Sequence, residues 1–111
     1  MRKIQAYIEE AAKHERKVPY GEIMSQVGMT YKNPQNRAEI GRLLGAISEA
    51  TKKEHGFMLS VLAVRKNTGL PNDAFFELAK CIGAMDEDGD PDDFFDDQVD
   101  QVFKYYRSAK K

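Results

Sequence analysis

The apolar positions of this chain fall into several short patterned blocks separated by turn-forming residues. Over residues 2–16, Ile4, Tyr7, Ile8, Ala11 and Ala12 recur at spacings of three and four, with Lys, Glu and Arg between them, which predicts an amphipathic helix. Pro19 blocks its continuation. Tyr20 and Gly21 then lead into a second helix of about two turns over 22–27, closed by Gly28. After the polar linker 29–33, Pro34 suits a first helical turn, with Asn33 as its cap. Ile40, Leu43, Leu44 and Ile47 then repeat at i, i+3, i+4 and i+7, predicting a helix from 34 to about 54 that Gly56 stops.

The second half changes character. The run 57-FMLSVLAVR-65 is apolar and rich in β-branched residues, and 66-KNTGLPN-72 carries turn chemistry, so a strand entering a loop is expected. That strand must find a partner or be very short, since unpaired buried amides are costly. A helix over 73–82, capped by Asn72 or Asp73 and ended by Gly83, follows. A last one begins at Asp90-Pro91, with an apolar stripe of Phe95, Val99, Val102, Phe103 and Tyr106. The expected fold is α+β and mainly helical: a winged-helix-like three-helix core, a short strand or wing, and two C-terminal helices, all in one domain spanning 1–111.

Charge sharpens this picture only when it is resolved along the chain. The net charge is −1, but residues 1–80 hold thirteen Lys or Arg against nine Asp or Glu, and residues 81–111 hold four against nine. The first part suits a phosphate backbone and the second does not. No apolar run is long enough to cross a bilayer, and acids interrupt the apolar pattern of the N-terminus, so a cytoplasmic protein is expected. The lone Cys81 lies in a helical apolar pattern and is expected to be a buried small hydrophobe.

Three helices followed by a strand and a loop is the order of a winged helix-turn-helix, whose third helix enters the major groove. Lys32, Asn33, Gln35, Asn36, Arg37 and Arg42 crowd the start of the helix from 34. There, backbone N–H groups attract phosphate, and Asn, Gln and Arg suit base edges. The bland alternative makes Asn33 a cap, leaves Arg37 and Arg42 solvated, and pairs Glu39 with one of them. Lys52, Lys53, Arg65 and Lys66 would add phosphate contacts from the helix end and the wing, where a plain polar turn serves equally well.

Within residues 18–47, VPYGEIMSQVG followed by NPQNRAEIG resembles the DNA-binding domain of O6-alkylguanine alkyltransferases and alkyltransferase-like proteins. In that family a tyrosine precedes the second helix, and an R-A-V-G element opens the recognition helix. The resemblance implies a winged-helix fold and duplex DNA as partner. It would make Tyr20 the residue that presses on a phosphate and Arg37 the one that enters the base stack, with Gly41 allowing close approach. The chain departs from the family at two places. Ser60, Val61 and Leu62 stand where proline, cysteine and histidine of the P-C-H-R-V-V motif belong, which excludes alkyl transfer, and Arg37 precedes Gly41 by one residue more than R-A-V-G allows.

The acidic segment 86-DEDGDPDDFFDDQVD-100 resembles a calcium loop in the spacing of Asp86, Asp88, Asp90 and Asp97, but Pro91 occupies the position that needs a glycine with positive φ. A solvated face that caps the last helix is the plain alternative. A third reading gives the acids a partner: Asp92, Asp93, Asp96 and Asp97 would dock on a basic nucleic-acid-binding protein, as in an anti-defence or anti-CRISPR inhibitor that fills a nuclease channel. No nucleophile–base pair, phosphate loop or metal-ligand pair is apparent, so neither an enzyme nor a cofactor is expected. The expectation is therefore a non-catalytic DNA-binding protein, a small phage or bacterial regulator, with the acidic inhibitor as alternative; the last helix also offers a homodimer face.

Overall fold

The structure is a computed structural model that describes residues 2–109. It is mainly helical, with a small parallel sheet. In chain order come α1 (Arg2–Lys13), β1 (Val18–Pro19), α2 (Tyr20–Ser25), α3 (Pro34–His55), a 3-10 helix (Leu59–Leu62), β2 (Ala63–Val64), α4 (Asp73–Cys81) and α5 (Pro91–Ala109).

The local signals act where the sequence puts them. Asn33 caps α3 by accepting the N–H groups of Gln35 and Asn36 ahead of Pro34, and Gly56 ends the helix at φ 84°. Asn72 caps α4 through the N–H of Phe75, and Asp90 accepts the N–H of Asp92 at 2.8 Å at the start of α5. α1 stops at Lys13 rather than running to residue 16, because Glu15 turns left-handed at φ 53° and the chain reverses toward β1.

The run 57–65 departs from expectation. Only Ala63 and Val64 form a strand, and they pair in parallel with Val18 and Pro19. The residues before them coil into a 3-10 helix at the centre of the molecule, packed against α1, α3 and α5. Met58, Leu59, Val61, Leu62 and Ala63 are all fully buried. Burying each of the larger ones contributes roughly 1.5–3 kcal/mol. A strand would need a ladder for its amides; here side chains serve instead. The N–H of Met58 donates to Gln98 Oε1 at 2.8 Å, that of Leu59 to Thr51 Oγ1 at 3.0 Å, and that of Ser60 to Ser48 Oγ at 3.0 Å. Every buried donor at the head of the 3-10 helix thus has a partner from α3 or α5.

α5 lies along α1, with Tyr106 donating to Glu9 at 2.9 Å and Arg107 paired with Glu15 at 2.7 Å. Its Phe95, Val102 and Tyr106 belong to the shared core. Val99 and Phe103 of the same stripe are partly buried against that core. Cys81 is not the buried residue expected but is exposed at the end of α4.

Candidate nucleic-acid interface

α3 is 22 residues long, about 33 Å, and only its later part is sunk in the core. From Tyr31 to Glu39 no residue is buried, and burial begins at Ile40. The first turns therefore expose Gln35 and Arg37 to solvent, with Lys32 exposed just before them.

The polar side chains at this end divide into those engaged by the protein and those left open. Asn33 is the helix cap, and Asn36 Oδ1 accepts the N–H of Thr30 at 3.0 Å, tying the linker to the helix. Arg37 donates from Nη1 to the carbonyl of Tyr31 at 2.6 Å and lies over the Tyr31 ring, 5.5 Å from its centroid. Arg37 meets no carboxylate among the described residues. Arg42, by contrast, is gripped by Glu39 through two bonds of 2.8 Å. That fork holds the Glu39 carboxyl below its usual range and cancels the charge that Arg42 was expected to offer.

Tyr20 also departs from expectation. It is 7% exposed, and its hydroxyl accepts the N–H of Asn72 at 2.9 Å. Burial pushes its pKa up. Tyr20 is a core residue that ties the start of α2 to the cap of α4, and it does not stand out toward a phosphate.

Arg65 and Lys66 begin an exposed turn closed by the N–H of Arg65 on the carbonyl of Leu70 and the N–H of Gly69 on the carbonyl of Arg65, both at 2.8 Å. Beyond it the chain enters α4 without returning as a second strand, so the wing is a turn and not a hairpin. Lys52 and Lys53 sit sixteen and seventeen residues beyond Asn36, about 25 Å along α3, and do not join this patch.

Two grooves flank Tyr31. One, of about 410 Å³, runs between α3 and α4 over Ile40, Gly41, Gly45, Phe75 and Leu78. The other, of about 750 Å³, lies between Pro19–Glu22 and the turn bearing Arg65 and Lys66. Glu22, on the second groove, is neutralised by Arg16 at 2.8 Å and accepts a short bond from the Tyr7 hydroxyl, both of which hold its carboxyl below the ordinary range. The open charge in that groove is cationic.

All nine carboxylates of residues 86–100, including Asp92, Asp93, Asp96 and Asp97, are exposed, and among the described residues none pairs with Lys, Arg or His. Asp90 serves as a cap and Asp97 accepts from Gln101 at 2.7 Å. Among the described residues no three His, Cys, Asp or Glu side chains converge to hold a metal ion. No helix among them is long and apolar enough to cross a membrane.

Sequence patterning passes over Tyr31, which lines both grooves together with the buried Tyr20. Its signal is an aromatic residue set in an otherwise polar linker, between Thr30 and Lys32. Comparison of the chain with protein-family models, with curated proteins and with solved structures found no match.

Proposed function

We propose that the chain is a non-catalytic DNA-binding protein of winged-helix-like design, with the start of α3 as the reading element and the Arg65–Lys66 turn as a reduced wing. The observation that carries this reading is the exposure of the first turns of α3 with Arg37 free of any carboxylate partner among the described residues. Lys32, Gln35 and Arg37 are all exposed; Arg37 lines the groove between α3 and α4, Arg65 and Lys66 line the neighbouring one, and Tyr31 lines both. Gln35 and Arg37 have the chemistry of base-edge contacts, and the lysines that of phosphate contacts. Arg42 and Tyr20 contribute by shaping the site.

Duplex binding measured across a salt series tests the proposal. Arg37→Ala combined with Lys66→Ala is expected to weaken binding and to flatten its dependence on salt, by about one unit of log–log slope for each phosphate that is no longer neutralised. A native protein that fails to retain duplex DNA at low salt would end the reading.

The solvated acids of residues 86–100, none of which pairs with a cation among the described residues, favour a second reading, in which the first half of α5 docks on a basic nucleic-acid-binding protein such as a nuclease. Under it, Asn at Asp92, Asp93, Asp96 and Asp97 abolishes association with such a partner while DNA retention is unchanged.

A further inference from the structure

We propose that Tyr31 is a stacking platform for an unpaired nucleobase, so that this surface takes DNA in which a base has lost its partner in preference to intact duplex. The inference rests on the DNA-binding reading and deepens it.

Among the described residues, Tyr31, at 51% exposed, and Tyr105, at 43%, are the large hydrophobic side chains left in solvent. Tyr105 packs its ring on His55 and Phe57. Among the described residues the Tyr31 ring stacks on no other ring, and the Arg37 guanidinium lies over it. A half-exposed ring with a planar cation over one face, lining two grooves, is a surface on whose other face a base stacks without regard to sequence. Inside a duplex both faces of a base are already covered, so this contact is available only to a base released from the stack.

The platform is held before any ligand arrives. The N–H of Thr30 donates to Asn36 Oδ1, the N–H of Asn33 donates to the Thr30 carbonyl at 3.2 Å, and Arg37 grips the Tyr31 carbonyl. Little ordering remains to be done on binding. Arg65 and Lys66 across the larger groove suit the phosphates on either side of the displaced base. Because Arg37 bonds the backbone of Tyr31, removing the ring leaves that bond in place.

Anisotropy titrations with a blunt hairpin duplex and with the same hairpin carrying a one-base bulge provide the test. The native protein is expected to prefer the bulge by about tenfold, or about 1.4 kcal/mol. Tyr31→Ala should erase the preference while duplex affinity stays, and Tyr31→Phe should restore it. In parallel, 2-aminopurine at the bulge should lose fluorescence on binding the native protein. Equal affinity for both DNAs, a preference that survives Tyr31→Ala, or fluorescence that holds steady or rises would overturn the platform and leave the duplex reading standing. Failure to bind either DNA would overturn both.

Discussion

The hydroxyl of Tyr20 accepts the backbone N–H of Asn72 at 2.9 Å, across fifty-two residues of sequence. This bond fixes the start of α2 against the cap of α4, and so sets the floor of both grooves. Tyr20→Phe keeps the ring and strands a half-buried N–H, at a cost of about 1–2 kcal/mol. A thermal melt should show a midpoint lower by about 4–8 °C, with DNA affinity unchanged. A large loss of affinity in a stable Phe variant would return Tyr20 to the contact surface.

The 3-10 helix depends on side-chain acceptors. Gln98 is 4% exposed and is the partner of the Met58 N–H. Gln98→Leu or Thr51→Val should each destabilise by about 1–3 kcal/mol, read as a shifted denaturant midpoint with unchanged slope. Ser48 both accepts the Ser60 N–H and donates to Ser60 Oγ at 2.5 Å, so Ser48→Ala and Ser60→Ala should be strongly non-additive.

Gly41 sits inside α3, and a Cβ there would meet nothing within 4 Å. Gly41→Ala is therefore expected to raise stability by about 0.5–1 kcal/mol. If the helix lies close against DNA at this point, the same variant binds duplex more weakly although it melts higher. Titration beside calorimetry separates the two effects.

Glu22 supplies a pH dependence whose sign is fixed. Arg16, and after it Tyr7, hold its carboxyl below the ordinary 4.5. A depressed carboxyl stabilises the fold above its unfolded pKa, and that contribution disappears as pH falls through the folded value. The stability difference between native protein and Glu22→Gln should thus be steady near neutrality and shrink below about pH 4.5, as followed by denaturant titration at several pH values.

Much of the helical frame is legible in the sequence because its signals are local. The stripe Ile40, Leu44, Ile47 and the caps at Asn33, Asn72 and Asp90 depend on neighbours within a few residues. The run 57–65 is not legible in this way. An apolar stretch without period suits a strand as well as a buried turn of helix, and what decides is that Ser48, Thr51 and Gln98 arrive from two other helices to take its amides. At the candidate site, the exposure of Arg37 follows from the polar first turns of α3, and the Glu39–Arg42 pair is written in their spacing. The burial of Tyr20 is not, since it depends on Asn72 closing over it. Tyr31 is hidden for the opposite reason: it belongs to no repeating pattern.

The contact between α1 and α5 joins residues ninety-seven positions apart at Glu9 and Tyr106. The 3-10 helix and α2 cover part of the apolar side of α1, and α5 completes it across that long separation in sequence. A frame in which the first and last described helices meet is rich in long-distance closure, which slows refolding relative to a bundle of sequential neighbours.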